Sequence, residues 1–73
     1  MAAQTIDKLV FQANQIAAAF KPQGDARAVP QIANHIEKYW DPRMRARMNA
    51  HMAAGGAGLD GLARAAVERL GKG

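Results

Sequence analysis

The stretch Tyr39-Trp40-Asp41-Pro42-Arg43-Met44 decides the fold, because it predicts where one helix ends and the next begins. An aspartate before a helix can accept hydrogen bonds from the first free backbone N–H groups. A proline at the first helical position gives up only an N–H that has no partner within the helix. We therefore predict a helix corner, with a helix that starts at Pro42. This corner joins the only tryptophan of the chain to its densest positive charge.

Upstream of the corner, a first helix is predicted over residues 5–20, with Thr5 as its N-cap. Its apolar residues recur at the spacing of an amphipathic helix. They are Ile6, Leu9, Val10, Ala13, Ile16, Ala17 and Phe20. Residues 21–25 contain a proline, a glycine and a turn-forming aspartate, so they predict a linker.

A second apolar arc ends at the corner. It consists of Val29, Ile32, Ala33, Ile36, Tyr39 and Trp40. The start of this helix depends on Pro30, since a helix capped by Asp25 would place the proline beyond the free N–H groups and cost one helical hydrogen bond. We therefore expect the regular helix to begin nearer Ala28.

A stripe of three methionines runs along the predicted third helix at four-residue spacing: Met44, Met48 and Met52. An unbranched thioether side chain suits an adaptable docking surface, but such a stripe more often belongs to a core, and we favour the core. The helix is predicted to stop at Gly55-Gly56, because glycine readily adopts the left-handed conformation that ends helices. The glycine-rich loop that follows is expected either to flex or to pack closely against a neighbour.

A fourth apolar arc extends from this loop up to Gly71. It consists of Leu59, Leu62, Ala63, Ala66, Val67 and Leu70. No segment alternates with a period of two, so no sheet is expected. The predicted fold class is all-α, a compact bundle of about four short helices that forms a single domain over residues 1–73. Helices one, two and four are expected to supply most of the core, and helix three a methionine face edged by arginines.

The length and composition of the chain bound the expected folding stability and the expected cellular location of the protein. A core formed by 73 residues rarely supplies more than about 3–5 kcal/mol of net stability, so we expect stability to depend on a partner. The net charge of +4 favours an anionic partner or an acidic protein surface. The N-terminus lacks a signal pattern, and no apolar run approaches the roughly 20 residues that span a bilayer. We therefore predict a cytoplasmic protein that does not enter a membrane.

Few side chains in the sequence can perform catalysis. Cysteine and serine are absent, and Thr5 and Tyr39 supply the only hydroxyl groups. The absence of cysteine excludes disulfides and ligation of an iron–sulfur cluster through thiolates. His35 and His51 have no carboxylate or cysteine at ligand spacing, which makes them a weak metal signal. We predict no catalytic, cofactor-binding or metal-binding residue.

Three arginines follow the corner at alternate positions: Arg43, Arg45 and Arg47. Guanidinium groups pair with planar anions, so these residues are candidates for binding phosphate, carboxylate or nucleic acid. The alternatives are a solvated helix face or anchoring to helix-end carbonyls and nearby carboxylates. A helix-turn-helix DNA-binding protein also fits a small basic helical chain, although Asn49 is the only amide of the would-be recognition helix.

Phe11 lies away from the apolar stripe of helix one, on the side shared with polar residues. Single exposed apolar residues are normal on protein surfaces. We therefore keep three interpretations: a helix buried on two sides, a tolerated surface aromatic, and a contact with a partner.

Three stretches of the chain resemble the delta subunit of NAD-dependent, molybdenum-containing formate dehydrogenases. They are Asn14-Gln15-Ile16-Ala17, His35-Ile36-Glu37-Lys38-Tyr39-Trp40-Asp41-Pro42-Arg43-Met44-Arg45 and Gly55-Gly56-Ala57-Gly58-Leu59-Asp60. The resemblance covers nearly the whole chain, in the same order. Its most specific part is the corner followed by the glycine-rich turn.

This resemblance implies a small accessory subunit of a cytoplasmic bacterial complex with alpha, beta and gamma subunits. The larger subunits would carry molybdopterin guanine dinucleotide, iron–sulfur clusters, FMN and the NAD site, and this chain would bind no cofactor. Formate would be oxidised to carbon dioxide at molybdenum, and the electrons would pass to NAD. The delta-type subunit is associated with the large alpha subunit and with its maturation.

The resemblance transfers no catalytic motif, so only candidate contact residues follow from it: Trp40, Arg43, Met44 and Arg45. Phe11 and Arg47 join them from the residue pattern, and Trp40 has the alternative role of packing in the core. Our hypothesis is a non-catalytic subunit that docks on the alpha subunit, where it stabilises that subunit or assists insertion of the molybdenum cofactor. A small basic nucleic-acid-binding protein is the alternative.

Overall fold

A computed structural model describes residues 5–72 and consists of four helices, with one short 3-10 turn. The helices are α1 (Ile6–Phe20), α2 (Asp25–Tyr39), α3 (Pro42–Ala53) and α4 (Gly61–Lys72), and the 3-10 turn spans Lys21–Gln23. No strand occurs within residues 5–72. The prediction of an all-α fold with four short helices is confirmed.

The start of α1 is the predicted one. Thr5 is extended, and its side-chain oxygen accepts a hydrogen bond from the N–H of Lys8 at 3.3 Å, as an N-cap does. Leu9, Ala13 and Ala17 on the apolar stripe are fully buried. The helix ends at Phe20, where the 3-10 turn begins within the predicted linker.

The start of α2 differs from the prediction, because the helix begins at Asp25 rather than near Ala28. Gly24 precedes it with a φ of +89°, and its carbonyl oxygen accepts from the N–H of Ala28 at 2.8 Å. Pro30 lies inside the helix and cannot donate to the carbonyl of Ala26. Ala26 is exposed, so water can satisfy that carbonyl and the helix tolerates the proline.

The core lies between α1, α2 and α4, with a smaller contribution from α3. α2 packs most extensively against α4, and α1 contacts the other three helices. The buried apolar side chains are Leu9, Ala13, Ala17, Ala28, Ile32, Ala33, Ile36, Trp40, Met48, Leu59, Leu62, Ala63, Ala66 and Val67. Met44 and Met52 are half-buried against this cluster, so the methionine stripe belongs to the core, as favoured from the sequence.

Three consecutive carbonyl groups in loop 54–60, between α3 and α4, each accept a hydrogen bond from a side chain on a different helix. The pairs are Arg64 Nη2 to Gly56 O at 2.9 Å, His51 Nε2 to Ala57 O at 2.8 Å, and Asn14 Nδ2 to Gly58 O at 2.9 Å. Through its Oδ1, Asn14 also accepts the N–H of Asp60 at 2.8 Å. The loop is therefore closely packed, which is one of the two alternatives expected from the sequence.

Candidate partner-binding surface

The predicted corner is present, and hydrogen bonds from backbone N–H groups hold it on both sides. The N–H of Trp40 donates to the carbonyl of Ile36 at 2.9 Å and closes α2. Oδ1 of Asp41 accepts from the N–H of Met44 at 2.9 Å and caps α3, which begins at Pro42. Trp40 is only 5% exposed, so its indole packs in the core and anchors the corner from inside.

Arg45 fixes the corner from outside. Its Nη1 donates to the backbone oxygen of Glu37 at 2.8 Å, and the side chain is half-buried. A cation beside the free carbonyl groups at a helix C-terminus is favourable, because those groups carry partial negative charge. The expectation that some arginines anchor to helix-end carbonyls is thus confirmed for Arg45.

Arg43 and Arg47 remain on the surface of α3. Both are exposed, and their spacing of four residues makes them neighbours on one helix face. Arg43 makes no hydrogen bond or ion pair within residues 5–72, whereas Arg47 already has an interaction within the protein. Arg43 is therefore a cation in water, available to an external anion.

The six predicted contact residues separate into two groups. Phe11 is 63% exposed on α1, and it joins Arg43 and Arg47 as a surface residue. Trp40, Met44 and Arg45 contribute to the packing of the corner described above. α1 and α3 place Phe11 and the two exposed arginines on different helices, and contact of any of them with a partner stays a prediction.

Tyr39 is the surface residue that the sequence analysis missed. It was assigned to the apolar arc of α2, but 68% of its surface is exposed. As the last residue of α2, at the edge of the arc, it lies against His35, with ring centroids 4.6 Å apart and planes at 43°. His35 in turn meets Phe20 edge-on at 6.3 Å. We call these three rings the aromatic row; the four-residue spacing of His35 and Tyr39 was the signal for it.

A shallow notch of about 220 Å³ opens beside the aromatic row. It is lined by Phe20, Gln31, Asn34, His35, Lys38 and Tyr39. Gln31 donates from Nε2 to Oε1 of Gln23 at 2.6 Å, which ties the 3-10 turn to α2 at this edge of the notch. The walls of the notch are thus held by contacts within the protein.

Across residues 5–72, no three side chains of His, Cys, Asp or Glu gather as a metal site would require. The helices in this part of the chain also include none that is long and apolar enough to cross a membrane.

Comparison with protein families gives a match over residues 8–67 to the NADH-dependent formate dehydrogenase delta subunit FdsD. The chain belongs to the FdsD family. The matched region contains all three stretches that suggested the resemblance, together with the corner and loop 54–60. Members of this family are by description subunits of formate dehydrogenase, an oxidoreductase complex with other subunits. No curated protein and no solved structure gives a significant match.

Proposed function

We propose that the chain is a non-catalytic accessory subunit that docks on the large catalytic alpha subunit of a molybdenum formate dehydrogenase in the bacterial cytoplasm. Within that complex, the alpha subunit oxidises formate at molybdenum, and electrons reach NAD through the beta and gamma subunits. Molybdopterin guanine dinucleotide, iron–sulfur clusters, FMN and NAD are held by these partners. The delta-type chain supports the large subunit without touching the reacting atoms.

The family match over residues 8–67 is the observation that carries this proposal. The side-chain inventory agrees with it, because a chain without cysteine cannot supply thiolates to an iron–sulfur cluster. With no serine and only Thr5 and Tyr39 as hydroxyl groups, the chain is also poorly equipped for nucleophilic catalysis.

The exposed surface of α3 supports the proposal that the partner is a protein with an acidic face. Arg43 is exposed and has no internal partner within residues 5–72, and it stands on a corner fixed by Trp40 and Arg45. A fixed backbone reduces the ordering cost of association, and complementary charge raises the rate and specificity of docking. A carboxylate of the large subunit is the proposed partner of Arg43.

Two mechanisms are compatible with docking on the large subunit. A stabilising subunit stays bound and raises the resistance of the mature enzyme to unfolding, because it binds only the folded state. A maturation factor acts while the molybdenum cofactor is inserted and is dispensable afterwards. Both mechanisms require a direct complex with the alpha subunit.

The test of docking is affinity purification of the tagged chain from its native cytoplasm at moderate salt, with and without nuclease. Retained proteins are identified, and NAD reduction by formate is assayed. We expect the alpha subunit and an active, molybdenum-containing dehydrogenase in both samples. Recovery of nucleic acid without any dehydrogenase would contradict the proposal and favour the basic nucleic-acid-binding alternative.

The two mechanisms are separated by the time at which the chain is supplied. The alpha, beta and gamma subunits are expressed with and without this chain, and molybdenum content and thermal inactivation are measured. If the chain is needed for cofactor insertion, its omission lowers molybdenum content, and later addition of purified chain does not restore activity. If it is a stabiliser, molybdenum content is unchanged and later addition slows thermal inactivation.

A further inference from the structure

Tyr39 combines exposure with a contact to a neighbouring ring. It is one of two large apolar side chains that are exposed among the described residues, the other being Phe11. Phe11 has no ring contact within residues 5–72, whereas Tyr39 is held against His35, which is itself in contact with Phe20. A partner that covers Tyr39 therefore loses little side-chain entropy, and tyrosine is among the residues that most often dominate binding energy at interfaces.

The notch beside Tyr39 has the size for one side chain. It is open to solvent, with a volume of about 220 Å³, and the aromatic row supplies the apolar part of a lining that also includes Gln31, Asn34 and Lys38. A cavity of about 150 Å³ is sufficient to hold a ring the size of benzene. One apolar or aromatic side chain of a partner can thus enter the notch and stack on Tyr39.

The charges at the notch restrict which residues of the partner can lie next to the inserted side chain. None of the six lining residues carries a carboxylate, Lys38 supplies an ammonium group, and Gln31 and Asn34 supply amides. An acidic residue next to the inserted side chain is favoured by this edge, and a basic one is disfavoured.

We propose that the notch formed by Phe20, His35, Lys38 and Tyr39 is the anchor site for an acidic segment of another subunit of the complex. That segment inserts one apolar side chain against the aromatic row and places a carboxylate near Lys38. The inference rests on the proposed function, because it specifies where on this chain the complex is held.

The test starts from formate dehydrogenase that has been purified without this chain. The enzyme is titrated with the tagged full-length chain, and the dissociation constant is measured. Tyr39→Ala and Lys38→Glu are each expected to weaken binding by about 10- to 30-fold, as anchor residues do. Tyr39→Phe keeps the ring and Lys8→Glu reverses an exposed charge on α1, so both are expected to bind like the unchanged chain. Far-UV circular dichroism confirms folding, and Lys38→Glu decides the test if Tyr39→Ala is unfolded.

Carbodiimide cross-linking of the same complex identifies the segment. This reagent joins an amine to an adjacent carboxylate as an amide, so a cross-linked peptide containing Lys38 and an Asp or Glu of another subunit is expected.

Binding of Tyr39→Ala and Lys38→Glu with unchanged affinity would overturn the anchor site while leaving the proposed function intact. Failure of the unchanged chain to bind the enzyme, both loaded with molybdenum and free of it, would overturn both. Tyr39-dependent retention of nucleic acid, with enzyme binding unaffected, would assign the notch to base stacking instead.

Discussion

Nη1 of Arg45 lies 2.8 Å from the backbone oxygen of Glu37, so a side chain from the first turn of α3 holds the last turn of α2. Arg43, two residues earlier on the same helix, makes no such contact within residues 5–72. Two arginines from one basic stretch therefore differ in role: Arg45 joins two helices of the fold, and Arg43 is the proposed contact with the large subunit.

Alanine substitutions of Arg45 and Arg43 separate these roles. Arg45→Ala removes a charged hydrogen bond that is partly exposed to water, so the free energy of unfolding is expected to fall by about 1 kcal/mol. Arg43→Ala is the matched control, and its effect on stability is expected to stay within about 0.5 kcal/mol. Urea denaturation followed by circular dichroism measures both. Equal destabilisation by the two variants would show that the Glu37 contact contributes nothing.

Asn14 is a polar residue on the side of a helix, but it is expected to contribute strongly to the free energy of unfolding. Asn14→Ala removes two hydrogen bonds, to Gly58 and from Asp60, and is expected to lower the free energy of unfolding by about 1–3 kcal/mol. Gln15→Ala removes an exposed amide from the next position and serves as control. The prediction fails if the two variants have the same urea midpoint.

Alanine substitutions at two glycines are expected to change stability in opposite directions. At Gly56 the φ is +65°, and an added Cβ would lie 2.9 Å from both Arg64 Nη1 and Met52 Sδ. Gly56→Ala is therefore expected to cost about 1–2 kcal/mol, chiefly through the left-handed backbone, because the two close atoms end flexible side chains that can shift. An added Cβ at Gly61 meets no atom within 4 Å, so Gly61→Ala is expected to stabilise the first turn of α4 by about 0.5 kcal/mol. Thermal melts of both variants check the two signs.

The two neighbouring aromatic residues at the corner are expected to differ in how much each contributes to the free energy of unfolding. Trp40→Ala opens a cavity in the core and is expected to cost about 3–5 kcal/mol, comparable to the whole stability of a domain of this size. Tyr39→Ala removes a mostly exposed ring and is expected to cost about 1 kcal/mol or less. The isolated Trp40→Ala chain should thus lose most of its helical circular dichroism. A cooperative melt close to that of the unchanged chain would contradict a core role for this tryptophan.

Local rules were sufficient to predict most of the fold. Thr5 and Asp41 cap their helices through contacts with residues three positions away, and Gly55-Gly56 ends α3 through its own backbone freedom. The apolar arcs were readable because each helix buries one face. Trp40 and Met48 followed from the same periodicity, since both lie on the buried side of their segments.

Features that depend on tertiary packing or solvent were not predictable in the same way. The start of α2 at Asp25 requires that water satisfy the carbonyl freed by Pro30, and propensity alone argued against it. Tyr39 obeyed the apolar spacing but lies at the edge of its arc, where no helix covers it. The partners of Asn14 are 44 and 46 residues away in sequence, so no local pattern could indicate them.

The hydrogen bonds between Asn14 and loop 54–60 also impose an order on folding. The helices on either side of the loop are close in sequence and can pair early, because closing a short segment costs little entropy. The two hydrogen bonds of the Asn14 amide are added to the loop only when α1 packs against it. During synthesis on the ribosome these two hydrogen bonds can therefore form only after residue 60 has been made, so a chain cut short before that residue would leave the Asn14 amide without both of its loop partners.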